Sequence, residues 1–128
     1  MVAFKLKDSG FRTTYKSGAQ REKPPGKGRF DLLSAFALTR LAHVYEKGAR
    51  KYDDRNWEKG IKFSRLFSAM MRHAWSYWMR RKKDPEDGQE HLSSVVWCAF
   101  SMQELEETCP EFDDRPDNDR EPITKVQE

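Results

Sequence analysis

The sequence predicts an all-α fold: a bundle of three main helices, preceded by a basic N-terminal arm and completed by dimerisation. Apolar residues recur at helical spacing in three segments, and Gly, Pro or capping residues separate those segments. With 128 residues, the chain has the size of one domain and can bury a single modest core. We divide it into an arm at residues 1–29, a helical domain at residues 30–109 and an acidic tail at residues 110–128.

The first predicted helix extends from Asp31 to Tyr52. Its apolar residues are spaced by three or four positions and therefore form one stripe along the helix. The members of this stripe are Leu38, Leu41, Ala42, Tyr45, Ala49 and Tyr52. The stripe indicates a helix with one face directed towards a core.

Capping signals place two further helices. Ser64 is a suitable N-cap for the second, whose apolar side carries Leu66, Phe67, Met70, Ala74, Tyr77 and Trp78. The cations at residues 80–83 suit the negative C-terminal end of its dipole. A third helix is predicted to begin at Asp84, with Pro85 in its first turn, and to end before Pro110. Its apolar positions are Leu92, Val95, Val96, Ala99, Met102 and Leu105.

The two ends of the chain differ in charge and predict little regular structure. Residues 1–29 carry a net charge of +6, and residues 110–128 a net charge of −4. Alternating apolar residues at Val2, Phe4 and Leu6 predict a short strand, and glycines and prolines make the rest of the arm a loop. Residues 110–128 are almost devoid of apolar side chains, so we expect disorder there. The charged ends indicate an anionic partner for the arm, or simply two solvated segments.

Three helices are a thin core for a chain of this length. Trp75, Trp78 and Trp97 add more large apolar surface than three helices can bury among themselves. We therefore expect a homodimer or a higher oligomer, which would supply the missing packing partners.

The sequence also indicates a cellular compartment. It contains no apolar run of membrane-spanning length, and residues 1–7 lack the apolar stretch of a secretory signal. Cys98 and Cys109 lie too far apart along one predicted helix to form a disulfide bond, and two reduced thiols fit a reducing compartment. We expect a cytoplasmic protein with no membrane partner.

The segment from Gly48 to Gly60 combines the side chains that a nucleotide needs. Lys51 and Arg55 could bind phosphate, Asn56 could recognise a donor and acceptor edge, and the rings of Tyr52 and Trp57 could stack on a base. A helix-capping turn with surface charge would explain the same residues without a ligand.

Carboxylates and histidines at helical spacing are the candidates for chemistry. His43 and Glu46 share a face of the first helix, and His73 lies at the edge of the core face of the second. Asp87, Glu90 and His91 fall in the first two turns of the third predicted helix. Oxygen ligands from facing helices hold Mg²⁺ or Mn²⁺ in helical bundles. The alternatives are capping carboxylates and hydrogen-bonded core histidines.

An ordered set of motifs resembles the dATP/dGTP diphosphohydrolase N-terminal domain family, which occurs mostly in phages and prophages. The resemblance covers roughly residues 17–107. The matching segments are residues 18–21, 26–33, 45–52 and 55–60, followed by Arg72–His73, Asp84–Glu86 and His91–Leu92.

The resemblance implies metal-dependent attack of water on a purine deoxynucleoside triphosphate, releasing pyrophosphate and leaving the monophosphate. Such an enzyme would adjust nucleotide pools in an infected cell, and its architecture would be similar to that of the all-α nucleoside triphosphate pyrophosphohydrolases. Those enzymes hold Mg²⁺ with paired carboxylates on two helices. This chain departs from that pattern, because it offers His43 with Glu46 on the first helix and Asp87 with Glu90 on the third.

Under this resemblance, the candidate residues take three sets of roles. Glu46, with Asp87, Glu90 and His91, would form or orient the Mg²⁺ or Mn²⁺ site. Triphosphate contacts would come from Lys27, Arg29, Lys51 and Arg55, and Asn56 and Trp57 would meet the base or sugar. Arg72 or His73 would offset the charge on the departing pyrophosphate. Asp31 would cap the first helix or orient Arg29.

A different class of function remains open from the residues alone. The basic arm and the Arg-rich aromatic segment would also suit a non-catalytic phage module that binds nucleic acid, a nucleotide or a host protein. Converging carboxylates would favour the enzyme, whereas an uninterrupted basic face would favour the binding module.

Overall fold

The computed structural model describes residue 10, residues 12–22 and residues 26–117. It confirms the all-α prediction: three helices pack together, and the only sheet in the described part is a two-stranded hairpin. The strands are β1 (Arg12–Thr14) and β2 (Gln20–Glu22). The helices are α1 (Ala35–Lys51), α2 (Phe63–Trp78) and α3 (His91–Thr108). Short 3-10 turns occur at Phe30–Leu32, Asn56–Lys59 and Pro110–Phe112.

The chain divides into two compact units, one up to Ser34 and one from Ala35 onwards. In the first unit, β1 and β2 pair antiparallel, with Thr13 opposite Arg21. The expectation of a loop throughout this part of the arm is therefore wrong at the hairpin. The turn closes because Gly18 adopts φ +88°, a conformation that glycine reaches without strain. The strand expected at Val2–Leu6 lies outside the described residues.

In the second unit, hereafter the helical body, the core lies between α2 and α3. Phe63 and Leu66 of α2 pack with Leu105 and Cys109 at the C-terminal end of α3. Partly buried side chains surround this cluster, namely Trp57, Ile61, Trp97, Met102 and Phe112. Helix α1 packs against α3. These contacts place the segment after α1 directly beside the core.

Two predicted helix starts are wrong. Helix α1 begins at Ala35, because Asp31 belongs to a separate 3-10 turn, where its carboxylate accepts two hydrogen bonds from Arg29 at 2.8 and 2.7 Å. Helix α3 begins at His91 and not at Asp84. Asp84 instead accepts a hydrogen bond from the backbone N–H of Glu86 at 2.9 Å and thereby closes a turn.

Ser64 is also not the cap of α2. The N-cap position is Lys62, whose side chain makes no capping hydrogen bond. The Asp114 carboxylate performs this function from outside the helix: it accepts the backbone N–H of Ser64 at 2.8 Å and also bonds the Ser64 hydroxyl. An acidic group at a helix N-terminus satisfies a free N–H and complements the dipole.

The expected disorder from Pro110 onwards does not describe residues 110–117. Phe112 packs against the core cluster, and Asp114 caps α2. One aromatic ring and one well-placed carboxylate are enough to hold this segment, although its composition is strongly polar. Residues 118–128 lie outside the described part of the chain.

The tryptophans do not all face the core. Trp97 packs against it, whereas Trp75 is 61% exposed and Trp78 is 75% exposed. Both reduced cysteines are buried, and burial raises the pKa of the Cys98 thiol to about 11. Within the described residues, no helix has both the length and the apolar character needed to cross a bilayer.

Candidate functional site

A cleft of about 550 Å³ opens beside the segment that follows α1. Aromatic rings form much of its wall: the centroid of Tyr45 lies 5.6 Å from that of Trp57 and 6.0 Å from that of Trp97. The Tyr45 hydroxyl is fixed by a 2.8 Å hydrogen bond with Ser101. The cleft is also lined by Glu46, Gly48, Ala49, Tyr52, Asp53, Asp54, Arg55, Asn56, Glu58, Ile61 and Phe100. Flat rings with polar groups at the edge are typical of a small-molecule site.

Four of the five candidate nucleotide contacts from Lys51 to Trp57 line this cleft: Tyr52, Arg55, Asn56 and Trp57. Lys51 lies over the ring of Tyr52, 5.4 Å from its centroid. Lys27 and Arg29, the other predicted triphosphate contacts, belong to the N-terminal unit.

Arg55 has a strained backbone. Its φ of +59° is in the left-handed region, which favours glycine, and its guanidinium bonds Glu58 at 2.6 Å. Among the described residues, the only other non-glycine residue with positive φ is Arg80. Strained residues are concentrated at functional sites, so the guanidinium of Arg55 is a candidate for ligand binding.

The four residues predicted to form a metal site do not come together. The Glu46 carboxylate accepts a hydrogen bond from Arg50 at 2.7 Å and lies 3.4 Å from the Nδ1 atom of His43. Asp87 pairs with Lys47 at 3.1 Å, and Glu90 pairs with Arg40 at 3.2 Å. Each carboxylate is thus paired with a cation within the described part of the chain.

A different group of metal-ligating side chains does converge. His73 of α2, Asp84 of the following loop and His91 at the start of α3 each offer one ligand atom, and these atoms all lie within 4.8 Å of one another. It is the only such group of three among the residues that the structure describes. Of the predicted ligands only His91 belongs to it, together with His73, for which the sequence predicts a different role.

The two imidazoles face each other closely. Their Nδ1 atoms are 2.9 Å apart, so that one ring donates a hydrogen bond and the other accepts it. His91 is 4% exposed, and its Nε2 atom is buried without a hydrogen-bond partner among the described residues. A buried polar atom without a partner is uncommon in native proteins, and an ordered water or another bound group would satisfy it.

The environment of His73 favours the neutral form of its ring. Burial is the largest cause of its lowered pKa, and positive charge on His91 or Arg72 acts in the same direction, whereas Asp84 and Asp87 oppose the shift. Arg72 itself donates a hydrogen bond to Ser68 at 2.9 Å. A neutral imidazole has the free lone pair that a metal ion requires.

The cluster passes a simple test of fit for a divalent metal. Two ligand atoms that are each about 2.1 Å from an ion and at right angles lie about 3 Å apart, close to the observed separation of the two Nδ1 atoms. Two imidazoles and one carboxylate suit a transition ion such as Mn²⁺ better than Mg²⁺, because imidazole is the softer ligand. His73, Asp84 and His91 could therefore hold such an ion.

The cluster and the cleft are linked through α1. Glu46 lines the cleft, and the adjacent Lys47 binds both the carboxylate and the backbone carbonyl of Asp87. The charge of Asp87 in turn acts on His73. The two features thus belong to one helical body and are connected through α1.

The lowered pKa of His73 predicts a pH effect on the metal-free protein. Because the unfolded chain binds a proton more readily than folded His73, the free energy of unfolding should fall as the pH drops below the ordinary histidine value of 6.5. His73→Gln should reduce this fall. Urea denaturation in EDTA, between about pH 7.5 and 5.5, measures it.

Exposed His43 provides the matched control for that experiment. His43→Gln should leave the pH dependence as it is in the parent protein. An equal effect of both substitutions would contradict the assignment of the effect to burial of His73.

The sequence did contain a signal for the cluster. His73 and His91 end up on facing helices, and Asp84–Pro85 lies in the connection between them. The sequence favours a helix cap at Asp84 instead, because Asp followed by Pro commonly begins a helix.

Comparison with known proteins adds a family. A family model described as dATP/dGTP diphosphohydrolase, N-terminal, matches residues 17–115. The match includes the cleft, the histidine–aspartate cluster and the ordered segment around Phe112. No curated protein and no solved structure matches the chain significantly.

Proposed function

Because this chain belongs to the dATP/dGTP diphosphohydrolase N-terminal family, we propose that it hydrolyses dATP and dGTP to the monophosphate and pyrophosphate with a divalent metal ion. The family name describes a hydrolase of these two nucleotides. The observation that carries the proposal is the cluster of His73, Asp84 and His91 on the same helical body as an aromatic cleft.

The proposed cofactor is Mg²⁺ or Mn²⁺, and the nitrogen ligands favour Mn²⁺. When bound, such an ion polarises a phosphoryl oxygen and lowers the pKa of a coordinated water. His73, Asp84 and His91 would hold it. This set differs from the one that the sequence predicts (Glu46, Asp87, Glu90 and His91) and shares only His91 with it.

The cleft would bind the nucleotide. Tyr45 and Trp57 offer ring faces to a purine, Asn56 offers a donor and an acceptor to the base or sugar, and Arg55 offers charge to the phosphates. Lys51 would add a further phosphate contact, and the phosphate contacts of Lys27 and Arg29 remain predictions from the sequence. Arg72 would offset charge on the departing pyrophosphate.

Glu46 has a separate proposed task. Its carboxylate lines the cleft but is not a member of the cluster, so it would accept a proton from the attacking water. The ion pair with Arg50 would keep it oriented.

The direct test is incubation of the purified protein with each deoxynucleoside triphosphate and either Mg²⁺ or Mn²⁺, followed by chromatographic separation of the products. We expect dATP and dGTP to give the monophosphate and pyrophosphate, with no reaction in EDTA. Release of inorganic phosphate alone would contradict the proposed bond cleavage. No reaction with any nucleotide would contradict the enzyme.

We also propose that the protein forms a homodimer or a higher oligomer. Helix α3 is apolar on two sides: one side packs in the core, and the other carries Leu92, Val96 and Phe100, spaced by four residues and about half exposed. Val96 is the centre of the proposed interface, because Phe100 also lines the nucleotide cleft and Leu92 also lines a groove at the end of α2. A helix that is apolar all round is typically buried on all sides. A second copy of the chain is the proposed partner for the outer side.

Sedimentation tests this assembly at micromolar protein concentration. The parent protein should sediment as a dimer or larger species, and Val96→Glu should shift it towards the monomer because a charge cannot be buried unpaired. A parent protein that is monomeric would contradict the proposal.

We place the protein in the cytoplasm, the host cytoplasm if it is encoded by a phage, where it would adjust purine deoxynucleotide pools during infection. Two buried cysteines without a disulfide bond support a reducing compartment.

A further inference from the structure

A second groove, of about 730 Å³, lies at the C-terminal end of α2 and is distinct from the nucleotide cleft. Cations and exposed rings dominate its lining, which includes Arg40, Arg80, Arg81, Lys82, Tyr77 and Trp78. Among the described residues, the only acidic one that lines it is Glu90, which pairs with Arg40 at 3.2 Å. The groove therefore carries excess positive charge beside aromatic surface.

Three of these cations have no acidic partner in the part of the chain that the structure describes. Arg80, Arg81 and Lys82 form no ion pair with any residue there. Five other cations of the described helical body do form an ion pair, among them Lys47 with Asp87 and Arg50 with Glu46. Positive side chains that are adjacent and unpaired attract anions of high charge density.

The backbone that carries these cations is held in place. The N–H of Arg80 bonds the carbonyl of Tyr77 at 2.9 Å, and the N–H of Arg81 bonds the carbonyl of Ser76 at 3.0 Å. On the other side, the N–H of His91 bonds the carbonyl of Lys82 at 3.0 Å. Binding of a ligand would therefore require little ordering of the main chain.

Arg80 is strained in the same way as Arg55. It follows the end of α2 with φ +66°, where glycine is the usual residue. The two described non-glycine residues with positive φ are thus both arginines. Arg55 lines the nucleotide cleft, and Arg80 lines this second groove. Glycine would suit this backbone conformation better, so the presence of arginine there favours a role for the Arg80 guanidinium in ligand binding.

We propose that this groove binds single-stranded nucleic acid, with phosphates on Arg80, Arg81 and Lys82 and a base stacked on Trp78. Trp78 is 75% exposed, so its ring face is open to an unpaired base. Consecutive cations along a loop suit a phosphate backbone better than one compact triphosphate. The described lining contains no side-chain amide to read a base edge, so binding is tolerant of sequence.

Fluorescence anisotropy with a labelled oligothymidylate of about 12 nucleotides tests the proposal, in EDTA so that no nucleotide is hydrolysed. The parent protein should bind it. The logarithm of the binding constant should fall with the logarithm of the salt concentration with a slope of about −2, since each of three neutralised phosphates contributes about −0.7. Duplex DNA, whose bases are already stacked, should bind more weakly.

Two variants localise the binding. Arg80→Gly relieves the backbone strain and so preserves the fold, but it should weaken binding about fivefold to tenfold and reduce the slope by about 0.7. Trp78→Ala should weaken binding by at least about fivefold, through loss of stacking. Arg65→Gln, an exposed cation of α2 outside the groove, is the control and should bind as the parent does.

Oligonucleotide binding can be tested separately from the proposed nucleotide hydrolysis. Arg80→Gly should hydrolyse nucleotides as the parent does, and Arg55→Gln should bind the oligonucleotide as the parent does. The proposal would be overturned if the parent did not bind, or if Arg80→Gly and Trp78→Ala both bound as tightly as the parent. Displacement of the oligonucleotide by an equal phosphate concentration of dATP would also overturn it, since the occupant would then be a mononucleotide.

Discussion

Asp84→Asn is expected to lower metal-dependent hydrolysis of dATP and dGTP by at least about a hundredfold, or about 2.7 kcal/mol of transition-state stabilisation. Asp84 is the only carboxylate of the cluster, so the substitution removes its only negative charge and one oxygen ligand. The fold should persist, because the amide oxygen of Asn can still accept the hydrogen bond from the N–H of Glu86. Circular dichroism would confirm the helical content.

Measuring Mn²⁺ affinity together with turnover distinguishes the role of Asp84 from that of Glu46. Asp84→Asn should weaken both. Glu46→Gln should lower turnover to a similar degree but leave Mn²⁺ affinity unchanged, because Glu46 lies outside the cluster. Full activity and full Mn²⁺ affinity in Asp84→Asn would move the metal site elsewhere. Loss of Mn²⁺ affinity in Glu46→Gln alone would restore Glu46 as a ligand.

Gly60→Ala is expected to lower the free energy of unfolding by about 2–4 kcal/mol. Gly60 adopts φ +112°, a conformation that L side chains rarely adopt. A Cβ atom there would also lie 2.5 Å from a ring carbon of Phe112, closer than real Cβ contacts occur. Phe112 packs against the core, so its ring cannot simply move away. Urea denaturation would measure the loss.

Gly48 offers the matched control. It lies within α1, and a Cβ atom added there would meet no other group within 4 Å, so Gly48→Ala should stabilise the protein by about 0.5–1 kcal/mol. In the double variant of Gly60→Ala with Phe112→Ala, the two losses should not add, because the clash partner is gone. Strict additivity would contradict a direct contact between Gly60 and Phe112.

Much of the fold was predictable because the relevant energies are local. Helical spacing of residues such as Leu41 and Tyr45 identified α1, and the same reasoning identified α2 and the body of α3. The helix starts were less predictable. The Asp84 side chain can either cap a helix or close a turn. It closes a turn in this protein, next to the β-bridge between Lys83 and Glu90.

The candidate site was predictable only in part. Arg55, Asn56 and Trp57 were identified because they follow one another in the chain, and they do line one cleft. The carboxylate partners were only partly predictable. The i,i+4 spacing of Glu46 and Arg50 is visible in the sequence, whereas the pairs of Asp87 with Lys47 and of Glu90 with Arg40 join distant parts of the chain. The structure of the segment after Pro110 was not predictable either. Its composition predicts disorder, whereas the ring of Phe112 and the carboxylate of Asp114 hold residues 110–117.

The sequence by itself determined the helical class of this protein, its family and the nucleotide-like composition of the segment from Lys51 to Trp57. Only the tertiary structure decided that His73, Asp84 and His91 meet, and that Glu46 does not join them. The physical reason is the distance along the sequence over which each interaction acts. Periodicity and capping depend on neighbours within a few residues, but the contact between two histidines on different helices depends on how α2 and α3 pack, which the whole core determines.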